Sequence, residues 1–237
     1  MKSPNALSAL IDIYISPSKA FNGIEQAKGW SWLALICIAV ATAASMFVFY
    51  NSVDIQFLIN EQVAVSSVDA TIGEQKMIRQ AIEQNAPNQM WFGMIGGIIG
   101  IVIMNALVAL YYMLIAKLDP NSQHSYGAWY GFSLWTMMPT VISSLGTIAL
   151  VLMANTDQIS QQAVFSYASI NQLIVGLDAT HTFYTLLESI NLFTIWSIAL
   201  RMVGLKCWTN FSTNKALLFA ALPSIIIFSV WAIIAAL

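Results

Sequence analysis

Five apolar stretches, at about 30–50, 91–116, 128–154, 183–205 and 216–237, are each long enough to cross a bilayer as a helix, and together they take up most of the chain. A hydrocarbon core about 30 Å thick requires about 20 helical residues. Water is absent at that depth, so each segment must pair its own backbone amides and carbonyls, which leaves the helix as the form a single apolar run can adopt. The expected fold is therefore all-α: a polytopic membrane protein built as a five-helix bundle. The charge content agrees, because only 8% of the 237 residues are charged, against about 25% in a soluble domain. A cleaved signal peptide is the competing reading of the first run, with Ala41, Thr42 and Ala43 imitating a cleavage site. The run begins late for such a peptide and continues through Phe47 to Tyr50, which disfavours it.

Basic residues are retained on the cytoplasmic side during insertion. In the five-span order, Lys2, Lys19, Lys28, Lys117, Arg201, Lys206 and Lys215 share one side and only Lys76 and Arg79 the other, seven against two. The N-terminus is expected inside and the C-terminus outside. Residues 1–29 then form a cytoplasmic interfacial segment, 30–237 the membrane domain and 51–90 its external loop.

The loop is expected to carry one helix near 72–84. It has too few large apolar groups for a core of its own. In the N-terminal segment Leu7, Leu10, Ile11, Tyr14 and Ile15 recur at helical spacing, as in a helix lying along the headgroup boundary. Ser16 before Pro17 predicts a second short helix over 17–24, with Ser16 as cap and Pro17 at the first helical position. The segment 164–177 is too short to span and is interrupted by Ser166, Asn171 and Gln172, so it is expected at the outer interface or re-entering part way.

Polar groups inside spans are the functional candidates. Glu188 and Arg201 both lie in the fourth run, with twelve residues between them, or about 18 Å of helix. Arg201 has the stem to snorkel towards the cytoplasmic face. Glu188 is then submerged, and an intramembrane ionisable group is a candidate site by default. Thr185, Glu188 and Asn191 follow at three-residue spacing, as one polar helical face. In the second run, Gly93, Gly96, Gly97 and Gly100 allow close helix packing, and Asn105 continues the row that Gly93 and Gly97 begin. Pro139 and Pro223 predict kinks inside the third and fifth runs.

Other chemistry has little support. His124 and His181 are expected on opposite faces, and Cys37 and Cys207 have no metal-ligand spacing. No nucleotide-binding, hydrolase or metalloprotease motif is present. Basic residues form no stripe for nucleic acid. The reading is therefore non-enzymatic, without metal or cofactor.

Four segments carry a family resemblance: ISPSKAF at 15–21, SYGAWYGFSLWTMMP at 125–139, SINLFTIWSIALRMVGL at 189–205 and STNKAL at 212–217. In this order they resemble the bacterial membrane branch of the Yip1 family. The resemblance covers nearly the whole chain and implies five spans with a cytoplasmic N-terminus, in a bacterial inner membrane. One departure falls at Asn191, where bacterial relatives usually carry Asp. Eukaryotic members are associated with Rab GTPases, vesicle formation and membrane shaping. The N-terminal segment here has only about 29 residues before the first run, and a Rab-type role is not carried over.

Two functional readings follow. The first is a scaffold or membrane-organising factor whose partners are the lipid bilayer and a membrane protein or second copy of itself. The second is a small transporter, channel or lipid translocator using Glu188, with Asn105 and Asn191 as polar supports.

Overall fold

The computed structural model describes residues 1–67 and 70–236. Val68 and Asp69, in the expected external loop, and Leu237, at the end of the fifth run, lie outside the described residues. Among the described residues the regular elements are helices. Its elements are α1 (Ala6–Ile15), α2 (Pro17–Ile24), α3 (Trp30–Ser52), α4 (Ile55–Ser66), α5 (Ile72–Asn85), α6 (Gln89–Ala116), α7 (Tyr126–Thr136), α8 (Pro139–Met153), α9 (Gln161–Phe165), α10 (Tyr184–Ser189), α11 (Leu192–Trp208) and α12 (Thr213–Ala236).

Among the described residues, four helical stretches are long and apolar enough to cross a membrane: Trp30–Ser52, Ile72–Ala116, Tyr126–Met153 and Thr213–Ala236. The second joins α5 to α6 through the single turn Ala86–Asn88. In the third, the helix is interrupted at Met137 and Met138 by i to i+3 turns. Pro139 then opens α8, where its missing amide costs no helical bond.

The fourth apolar run differs from expectation. It is divided into α10, of six residues, and α11, of seventeen, with Ile190 extended between them. The break leaves backbone groups that must find partners in place of helical ones. Residues 168–170 supply them: Ile170 N donates to Ile190 O at 2.8 Å and Leu192 N to Ala168 O at 3.1 Å. Ser169 and Asn191 thereby form an isolated antiparallel bridge.

The fold contains two compact units. The first comprises residues 1–40, 99–141 and 193–230. Its core joins Ile13, Ala20 and Phe21 of the N-terminal helices to Tyr112, Trp129, Phe132, Trp135, Leu205 and Trp208. Ring centroids are 5.3 Å apart for Phe21 and Phe132 and 5.1 Å apart for Phe132 and Trp208. A Cβ at Gly204 would collide with the Phe132 and Phe21 rings, so only glycine admits that aromatic layer over α11. Trp208 Nε1 donates to the Phe21 carbonyl at 3.0 Å. All four segments carrying the family resemblance, at 15–21, 125–139, 189–205 and, through Ala216, 212–217, thus contribute to one packed cluster.

The second unit comprises residues 41–98, 142–192 and 231–237. Phe49, Leu58, Val151, Ile159 and Val164 form its core. Asp54 caps α4 through its side chain, while its backbone N donates to Asp157 O at 2.8 Å. Thr71 and Glu74 form a reciprocal capping box at the start of α5, which satisfies two orphan donors in the helix expected near 72–84.

Candidate functional site

The expected N-terminal helices are present, and both are fixed in the first unit. Asn5 caps α1 by accepting from Ser8 N at 2.8 Å. At the start of α2, Pro17 occupies the first helical position, but the Ser16 side chain makes no capping bond. Asp12 is buried: its carboxylate accepts from Ser3 Oγ at 2.7 Å and pairs with Lys19 Nζ at 3.0 Å. The Ser3 and Lys19 bonds hold its carboxyl below the usual range, outweighing the opposing effect of burial. Tyr14 Oη donates to Met138 O at 2.8 Å. This anchoring divides the expected apolar stripe. Leu10 and Tyr14 pack on the core, whereas Leu7, Ile11 and Ile15 remain 68%, 62% and 74% exposed.

Glu188 belongs to the second unit and is 7% exposed. Three side chains converge on its carboxylate: Ser169 Oγ at 3.1 Å on Oε2, with Asn171 Nδ2 and Gln172 Nε2, each at 2.8 Å, on Oε1. The segment expected to lie at the interface supplies all three. Its conformation follows from the same residues. Ser169 Oγ also accepts from Gln172 N at 3.1 Å, and Asn171 accepts from Leu177 N at 2.8 Å. A wide helical turn over Asn171–Val175 ends at Gly176, whose φ of 70° is left-handed. Glycine takes that conformation without a Cβ penalty. The buried carboxylate is thus a clamp between α10 and residues 169–172.

The expected polar face of Thr185, Glu188 and Asn191 does not form, because the helix ends at Ser189 and the periodicity is lost before Asn191. Thr185 O accepts from Ser189 Oγ at 2.8 Å, and Asn191 sits at the bridge. Asn105 lies in the first unit, 1% exposed, where it accepts from Ser133 Oγ at 2.6 Å and donates to Ile101 O at 2.8 Å. Arg201 is half-buried in α11, and its Nε is enclosed with no hydrogen-bond partner.

The glycines divide by position. In the second unit Gly93 faces Met46 and Gly97 faces Thr42, whereas nothing lies within 4 Å of a Cβ at Gly96; the same holds for Gly100 in the first unit. Only the Gly93 and Gly97 row therefore packs on α3. Among the described residues, no three His, Cys, Asp or Glu side chains group as metal ligands.

The Yip1 domain family matches residues 11–234. This chain belongs to the Yip1 family. No curated protein and no solved structure matches it. The matched region takes in both units, and the Yip1 chain is an integral membrane protein with several apolar helices. Sequence reasoning located Glu188 but missed its partners. The available signal was three hydroxyl and amide side chains within four residues of an otherwise apolar segment. The burial of Asp12 was also missed, because its partners Ser3 and Lys19 lie outside α1.

Proposed function

We propose that this Yip1-family protein is a non-enzymatic membrane-organising factor that bears on one leaflet of the bilayer through α1. The row Leu7, Ile11 and Ile15 carries the reading: three large apolar side chains stand exposed on a helix whose other side is held by Asp12, Tyr14 and Ile13. Such a row favours insertion at the boundary between headgroups and acyl chains. Because α1 is anchored at its back, the inserted wedge remains attached to the bundle. Five crossings are part of this proposal, with α10 and α11 together making the fourth. The seven-to-two distribution of Lys and Arg supports a cytoplasmic N-terminus and an external C-terminus, and the resemblance to bacterial relatives favours a bacterial inner membrane. A membrane-protein partner or second copy belongs to the same reading.

The test is reconstitution of the full chain into phospholipid vesicles whose diameters are measured by electron cryomicroscopy at rising protein-to-lipid ratio. Wild type is expected to narrow the vesicles, and a combined Leu7→Gln, Ile11→Gln and Ile15→Gln variant of equal helicity is expected not to. Equal diameters with wild type and variant would remove α1 from the function.

The second reading, transport or lipid translocation through Glu188, has one observation in its favour: a buried carboxylate beside a broken helix, an arrangement transporters use for substrate and ion sites. The three donors already on Glu188 place it second. Flux in proteoliposomes that falls with Glu188→Gln would reverse that order.

A further inference from the structure

A cavity of about 670 Å³ opens in the first unit beside the starts of α3 and α7, within the size range of a small-ligand site. Its walls change character with depth. Glu25, Lys28 and Ser31 are among its polar lining residues, and Leu35, Val102 and Leu134 among its apolar ones. At 1.5 Å per residue, Leu35 and Leu134 lie about 8 Å and about 12 Å beyond the first residues of their helices. The helices involved begin two of the apolar stretches of membrane-crossing length, so the polar end is at headgroup depth and the apolar end faces hydrocarbon. Trp32, 68% exposed, and Tyr130 also line the cavity, as amphipathic rings do at a membrane interface.

The polar end offers one carboxylate and one ammonium. Glu25 Oε1 lies 3.4 Å from His124 Nε2, while Lys28 is exposed. In the first turns of α3 and α7, Trp32 N already donates to Gly29 O and Ala128 N to Ser125, which leaves the amides of the lining residues Ser31 and Gly127 without a helical partner. We propose that this cavity holds the headgroup of a zwitterionic phospholipid with a primary amine, of the phosphatidylethanolamine class. Lys28 and the first-turn amides meet the phosphate, Glu25 meets the ammonium, and the glycerol and upper acyl chain run along Leu35, Val102 and Leu134. A quaternary amine has no N–H for Glu25, and an anionic headgroup brings no cation to it. Phosphatidylcholine and phosphatidylglycerol are therefore the weaker ligands. This site goes beyond the α1 reading and does not depend on it.

Native mass spectrometry of the full chain in detergent, titrated separately with the three lipids, tests the proposal. One phosphatidylethanolamine per chain is expected to be retained at about tenfold lower concentration than either other lipid. Glu25→Gln is expected to abolish the preference over phosphatidylcholine. Gly127→Phe should abolish retention of all three, because Gly127 lines the cavity and a Cβ there meets only Ser125 Oγ, at 3.9 Å. Both variants are first matched to wild type by circular dichroism and elution volume. Equal retention of the three lipids by wild type, or a preference surviving both substitutions, overturns the proposal. Vesicle diameter is read separately, so failure of the α1 reading would leave this result standing.

Discussion

Asn171 Nδ2 donates to Glu188 Oε1 across 2.8 Å, joining the wide turn at 171–175 to the last turn of α10. Both groups are buried, and Ser169 and Gln172 donate to the same carboxylate. Removing the acceptor would leave the buried Ser169 Oγ without its carboxylate and Asn171 Nδ2 with only the Leu177 carbonyl. Glu188→Ala is expected to destabilise the protein by about 2–4 kcal/mol. Glu188→Gln retains an oxygen for Asn171 and Gln172 and is expected to cost about 1 kcal/mol. Denaturation in mixed micelles measures both, and an Ala variant as stable as wild type would show that the carboxylate is not a clamp.

The aromatic layer over Gly204 supports a second prediction. A methyl group there must displace Phe132 or Phe21, at a cost of about 1–3 kcal/mol. Cys207 reports the displacement, since it is half-buried and its Sγ lies 3.9 Å from Ser18 O in α2. In a Cys37→Ala background, Gly204→Ala is expected to accelerate maleimide labelling of Cys207 about tenfold. An unchanged rate would mean that α2 does not rest on Gly204.

Four of the apolar runs were legible because hydropathy accumulates over about 20 residues, and no single side chain decides the outcome. The break in the fourth was not. It depends on 168–170 offering backbone partners to Ile190 and Leu192, a relation that periodicity along 183–205 cannot contain. Glu188 stood out as a charge inside an apolar run, whereas Asn171 and Gln172 read only as interruptions in a short apolar segment. The helix over Pro17–Ile24 was legible from Pro17 alone, since proline fixes φ near the helical value. The cavity beside α3 and α7 arises from tertiary packing, which composition does not report.

Asp12 gives a pH prediction with a defined sign. Its bonds to Ser3 and Lys19 lower the carboxyl pKa below the ordinary 3.8. A depressed carboxyl stabilises the folded pairing above its unfolded value, and that contribution is lost as pH falls through the folded value. Proteolytic protection of the α1 and α2 pair should therefore hold from pH 7 down to about 4 and decline below 3.8. Asp12→Asn should show weaker protection at pH 7 and a flatter acid limb. A variant with the same pH profile as wild type would exclude Asp12 as the titrating group.

The two glycine rows of α6 are expected to respond oppositely to substitution. Gly93 lies against Met46, whose sulfur would be 3.4 Å from an added Cβ, and Gly97 lies against Thr42. A leucine at either position pushes into α3, an overpacking that costs about 1–3 kcal/mol. Gly96 and Gly100 have nothing within 4 Å, and leucine there gains helix propensity of about 0.5–1 kcal/mol over glycine. Unfolding in micelles should therefore rank Gly93→Leu below wild type and Gly96→Leu at or above it. If Gly96→Leu and Gly100→Leu lose stability as Gly93→Leu does, and the loss depends on protein concentration, a second copy packs on that row. A concentration-independent loss at Gly96 would instead contradict the open space beside it.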